Sequence, residues 1–158
     1  MTTLNPETGP YKSCKPPDSN PRKPNFRLPP GACDAHCHVF GPSNLFPYHP
    51  GRSYTPPDAP RQTLKNLHDF LGIDRAVIVQ ASCHGPDNTA MLDAIAHNQN
   101  NYRGVCHIDE NTSEKDLQDL HNGGVRGVRF NFVKHLGGAP DLEFLQQTVD
   151  IVREFDWH

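Results

Sequence analysis

The sequence lacks paired cysteines. Its five lie scattered at Cys14, Cys33, Cys37, Cys83 and Cys106, with no Cys-x-x-Cys spacing. An odd, dispersed set argues against a disulfide framework and reads as reduced thiols in a cytoplasmic protein. It also lacks a basic block. Its 15 Lys and Arg are interspersed among 18 Asp and Glu, for a net charge of −3 and a pI near 6.3, which argues against a nucleic-acid partner. No apolar run approaches the length of a membrane span, and the first residues show no signal-peptide core. Length is short as well. At 158 residues the chain falls below the roughly 200–250 that a closed eight-stranded α/β barrel needs.

Proline, by contrast, is abundant and unevenly placed. Pro6, Pro10, Pro16, Pro17, Pro21, Pro24, Pro29 and Pro30 all fall within residues 1–30, which predicts an extended or partly disordered leader ahead of a folded unit at 31–158. Beyond the leader come four apolar runs with strand character, Ala32–Phe40, Ala76–Ala81, Gly104–Ile108 and Gly127–Phe132. Stretches with helical periodicity alternate with them. Leu64, Leu67 and Leu71 share a face in a segment starting near Pro60. Asn88 or Thr89 can cap a helix carrying Met91, Leu92 and Ile95. Ser113 with Asp116 three residues on opens a third helix, and Asp141 precedes Leu142, Leu145, Val149 and Val152. A β-α-β-α-β-α-β-α order predicts a parallel sheet with right-handed crossovers. Four such units leave two unpaired sheet edges, so the chain reads as the N-terminal half of a (β/α)8 barrel, with a small complete α/β sandwich as the alternative.

Two features point to chemistry. Residues 34–38 read Asp-Ala-His-Cys-His, and on a strand His36 and His38 project from one face, where two imidazoles suit a divalent metal, a polarised carbonyl or a proton relay. Ten histidines would give about 0.6 His-x-His triplets by chance, so the pair needs its context. Cys33 and Cys37 flank it, but Cys37 points away from both imidazoles, which argues against a shared zinc site. The second feature is a long Pro- and Tyr-bearing loop from Gly41 to Pro60. Loops of that length are usually functional, with an irregular surface insertion as the alternative, and this one leaves the C-terminal end of the histidine strand, the catalytic end of a barrel. Among the other histidines, His68, His97 and His121 fall in helical segments and read as surface residues. His107 faces either the barrel interior or the core, and His84 reads as a rim residue.

Taken together, Asp34-Ala-His-Cys-His-Val-Phe-Gly-Pro, Arg52-Ser-Tyr-Thr-Pro and Gly124-Val-Arg-Gly-Val-Arg-Phe-Asn-Phe resemble the amidohydrolase superfamily, and more narrowly its 2-pyrone-4,6-dicarboxylate lactonase-like branch. The resemblance covers roughly residues 31–158. It implies a TIM barrel with the histidine pair at the end of its first strand, and hydrolysis of a small carboxylated lactone. It further implies either no required cofactor, as in the pyrone lactonase type, or one divalent metal (Zn or Mn) held by His36 and His38. By the same resemblance His36 and His38 are catalytic, while Tyr54, Ser82 and Arg129 contact substrate. Arg129 interrupts an apolar strand, so its guanidinium needs an anion, either a substrate carboxylate or an internal Asp or Glu. Ser82 could simply end a strand, and Tyr54 could pack the loop. Arg126 reads as solvent-facing.

Two departures stand out. Where the lactonases place a second carboxylate-binding arginine, this chain has His135, a weaker and pH-dependent anion ligand, so a muconolactone-like or sulfonated substrate is an alternative to the pyrone. The general-base aspartate and a further histidine of the family would fall beyond His158. The expected reaction is water attack on the ester carbonyl, with a carboxylate base and with the imidazoles or a metal stabilising the oxyanion. The alternatives are a metal-dependent decarboxylase or hydrolase of another small acid, and a catalytically inactive half barrel.

Overall fold

In a computed structural model of the chain, residues 12–132 and 141–158 are described. Two residues of the leader, β1 (Lys12–Ser13), run parallel to β3 (Tyr54–Thr55) in the long loop. The main sheet has four parallel strands in the order β2 (Cys33–Cys37), β4 (Arg75–Val79), β5 (Tyr102–Cys106), β6 (Val125–Val128). Spatial order equals chain order, because each strand is followed by a helix that returns the chain to the same end. The helices are α1 (Arg61–Leu71), α2 (Thr89–Ala96), α3 (Glu114–Asn122) and α4 (Leu142–Glu154). This is the architecture of half a TIM barrel.

The core lies between the sheet and the helices. Ile78, Met91, Ile95, Cys106 and Val125 are fully buried there with Ala76, Tyr102 and Leu120 around them. Helix starts follow the local chemistry. Ser113 accepts the Asp116 amide and Asp116 accepts the Ser113 amide, a complete capping box, and Asp141 caps α4 by accepting from Glu143 and Phe144. At α2 the expectation changes. Asn88 occupies the cap position but makes no cap bond, because its side chain is used elsewhere, and Asp87 accepts the Thr89 amide instead.

Strand boundaries shift by up to four residues from the apolar runs. The fourth strand begins at Val125 and ends at Val128, so Arg129 stands one residue past its end. Arg126 is within that strand and half-buried, donating to the carbonyls of His121 at 2.7 Å and Val125 at 2.5 Å. It is therefore not simply solvent-facing. His158 reaches the free side of β6, donating to the Arg126 carbonyl and accepting the Val128 amide. A side chain at Gly127 would meet that His158 carbonyl at 2.6 Å. Among the described residues no helix is long and apolar enough to cross a membrane.

Candidate active site

The site forms where β2, β4, β5 and β6 end. Registers of Cys37 with Ile78, Val79 with Val105, and Cys106 with Val128 put Cys37, Ile78 and Cys106 on the helix-covered face. By alternation His38, Val79, Val105, His107 and Arg129 lie on the opposite face, the one that lines a barrel's interior.

His38 is half-buried, and its Nδ1 lies 2.7 Å from the Val79 carbonyl. A carbonyl only accepts, so Nδ1 carries the proton and Nε2 keeps its lone pair. Burial holds the ring below its ordinary pKa of 6.5. The Val79 bond opposes this, and the nearby His36 and Arg129 push it further down. His36 is exposed, and its ring meets His38 edge-on with centroids 5.1 Å apart.

Arg129 donates from Nη1 to the Gln80 carbonyl at 2.9 Å. His38 and Arg129 are thus fastened to successive carbonyls at the end of β4, approaching from opposite sides of it. Among the described residues Arg129 forms no ion pair, which leaves a half-buried guanidinium with donors to spare. His107, level with Arg129 one residue past the neighbouring strand, has its pKa lowered below the ordinary 6.5 chiefly by burial, and Arg129 and His49 act the same way. The buried Asn88 grips the backbone of His107 on both sides, accepting its amide at 3.1 Å and donating to its carbonyl at 2.8 Å. Sequence reasoning left His107 open between interior and core. The register past β5 is the signal that places it.

Tyr54 and Ser82 also come together, with Ser82 Oγ donating to the Tyr54 hydroxyl at 3.4 Å. Ser82 opens a single 3-10 turn, Ser82–His84, directly after β4. His84, expected on the rim, is instead buried beneath the long loop. Its Nε2 accepts the Gly41 amide at 3.2 Å and its Nδ1 donates to the Pro47 carbonyl at 3.2 Å. Asp58 accepts from Ser43 and Tyr48, and Phe40 pairs with Ala59, so the loop is stitched to itself and to the site. His135 lies outside the described residues.

His68, expected on the surface, is 1 % exposed. It bonds Asp34 and Tyr102, a constellation the helical pattern concealed. His97 is exposed as expected, while His121 is half-buried and accepts Trp157 Nε1–H at 3.0 Å. Asp34, Cys37 and His68 bring an oxygen, a sulfur and a nitrogen within 4.8 Å of one another. Burial, and after it the neighbouring Asp34, push the Cys37 thiol up to about 12. That thiol donates to the Val77 carbonyl at 3.5 Å. As the alternation required, Cys37 points into the core, away from the imidazole pair.

A parallel βα sheet in chain order, with two imidazoles and a guanidinium placed just past its strand ends, is half of an α/β barrel seen at its C-terminal face. The chain belongs to the amidohydrolase family, whose model matches residues 33–158. It is 50% identical over 140 residues to the 2-pyrone-4,6-dicarboxylate hydrolase of Comamonas testosteroni, covering 89% of this chain and 46% of that protein. It is 39% identical over 145 residues to the 4-sulfomuconolactone hydrolase of Rhizobium radiobacter, covering 91% and 48%. Among solved structures, a probable 2-pyrone-4,6-dicarboxylic acid hydrolase of Acinetobacter baumannii with citric acid bound superimposes with a TM-score of 0.71 at 28% identity, covering 81% of this chain and 48% of that one. The chain spans about half the length of the curated relatives it matches.

Proposed function

We propose that the protein carrying this chain opens a small carboxylated lactone, such as 2-pyrone-4,6-dicarboxylate or a muconolactone, by water attack on the ester carbonyl. The observation that supports this reading is the placement of His38 and Arg129 on the adjacent carbonyls of Val79, which ends β4, and Gln80, just past it. One is an imidazole whose burial favours the neutral form, with the Nε2 lone pair free of the Val79 bond, and the other is a cation with no carboxylate partner among the described residues. The lactone hydrolases among the relatives support the same chemistry.

The tautomer refines the expected mechanism. A neutral ring whose proton sits on Nδ1 cannot donate from Nε2, so His38 serves as proton acceptor for the attacking water rather than as oxyanion donor. The exposed His36 is left to meet the developing negative charge. Arg129 takes a substrate carboxylate, and Tyr54, Ser82 and His135 hold the remaining polar groups. The pair also fits a divalent metal, Zn or Mn, as two of its ligands, since a ligating imidazole commonly fixes its other nitrogen on a carbonyl. Such a metal, when bound, supplies Lewis acidity at the ester carbonyl.

Calorimetric binding of 2-pyrone-4,6-dicarboxylate, with hydrolysis followed by loss of pyrone absorbance, tests the reading. Arg129→Met removes a charged hydrogen bond worth about 1.5–3 kcal/mol, so affinity should fall at least about tenfold. No binding by the unaltered protein, or equal binding by the variant, refutes it.

A further inference from the structure

We propose that Asp34, His68 and Tyr102 are positioning residues that set the direction of the His36–His38 pair. The reason begins in the strand. On β2, Asp34 pairs with Ala76 and Cys37 with Ile78, so three steps of β2 are matched to two of β4. This is a β-bulge, and bulges re-aim side chains. In an unbroken strand Asp34 would share a face with His36 and His38. Here Asp34 and Cys37 both turn toward α1, where each lies beside His68, and the imidazole pair keeps the open face.

A bulge leaves a backbone group without its ladder partner, and here a side chain replaces it. The His36 amide donates to Asp34 Oδ1 at 3.1 Å. The second oxygen of Asp34 accepts from His68 Nε2 at 3.3 Å. A carboxylate only accepts, so Nε2 carries the proton and Nδ1 accepts a hydrogen bond from the Tyr102 hydroxyl at 2.7 Å. The three residues come from β2, α1 and β5, and the two behind Asp34 are 1 % and 3 % exposed. A polar chain this deep adds little that well-packed hydrocarbon would not, apart from specificity. What hydrocarbon cannot do is accept the His36 amide.

The test separates position from stability. Asp34→Leu fills the same space without an acceptor. Amide exchange at His36 should then rise more than tenfold while β4 and β5 keep their protection. In lactone hydrolysis, kcat should fall at least tenfold with KM within threefold. Asp34→Asn should rescue both, because the chain of bonds can reverse, with the introduced amide nitrogen donating to His68 Nε2 and His68 Nδ1 donating to Tyr102. Should the leucine variant fail to fold, Tyr102→Phe decides, with faster exchange at His36 than at its β4 neighbours as the expected result. Unchanged exchange at His36 in the folded leucine variant, or in Tyr102→Phe, overturns the proposal. So does failure of Asp34→Asn to restore protection. Only the kinetic arm rests on the lactonase reading. If the unaltered protein turns over no lactone, that reading fails, and the exchange arm still decides the positioning role.

Discussion

Replacing Asn88 distinguishes a helix cap from a clamp on the mouth. As an ordinary N-cap, Asn88→Ala would cost about 1 kcal/mol, and Ser or Asp at the position would restore it. The structure gives Asn88 different work. Nδ2 donates to the carbonyls of Pro86 at 2.9 Å and His107 at 2.8 Å, and Oδ1 accepts the His107 amide at 3.1 Å. Each bond is worth about 0.5–1.5 kcal/mol net, and leaving backbone groups of a buried segment unpaired moves the sum to the upper end. Alanine should therefore cost about 3–4 kcal/mol, which is roughly 10 °C in a chain of this size. Aspartate should be no better, because it sets a carboxylate oxygen against two carbonyls. Serine is too short to span both. Urea denaturation of the three variants checks this. A loss near 1 kcal/mol for alanine, recovered by aspartate, would refute the clamp.

Acid should weaken the fold. Burial lowers His38, His84 and His107 below the ordinary 6.5, so the unfolded chain binds more protons than the native one. Stability is then full above about pH 6.5 and declines as pH falls below it. A urea midpoint that stays flat or rises from about pH 7.5 to about 5.5 would contradict this. Thiol titration near pH 8 with a disulfide reagent should show two fast groups, the exposed Cys14 and Cys33. Burial pushes Cys37 and Cys106 up to about 12 and Cys83 to about 11, so a third fast thiol in the native protein would show that the sheet opens readily.

Element types were legible because each had a local cause. The Ser113–Asp116 spacing encodes a capping box, and the apolar runs encode buried parallel strands. Three of the misplaced features share one origin, since His68, His84 and Asn88 each depend on a partner distant in sequence. His68 has an ordinary helical neighbourhood, and only Asp34 and Tyr102, 34 residues away on either side, make it a core residue. His84 looked like a rim residue until the loop from Gly41 folded over it. Asn88 fits a cap by type, and its true partner is 19 residues on. Arg126 was misread because the strand starts two residues before the apolar run suggests, and a long Arg stem can lie along a strand while its head finds carbonyls.

The candidate site follows a different logic. In a parallel sheet whose spatial order is its chain order, the residues just past successive strands become neighbours however far apart they lie in sequence. His38, Ser82, His107 and Arg129 each follow the end of a different strand of this sheet by one to three residues. That rule needs only the alternation of strand and helix, which the sequence displays. What it cannot supply is the phase of each strand, because one extra residue in β2 exchanges the faces of everything before it. Asp34 is the residue so exchanged. It leaves the mouth, where alternation would make it a third ligand beside the histidines. On the other face it becomes the acceptor that holds the His36 backbone. A strict reading of the Asp-x-His-x-His pattern would therefore build a metal triad here. The bulge turns the same residues into a pair of imidazoles and their support.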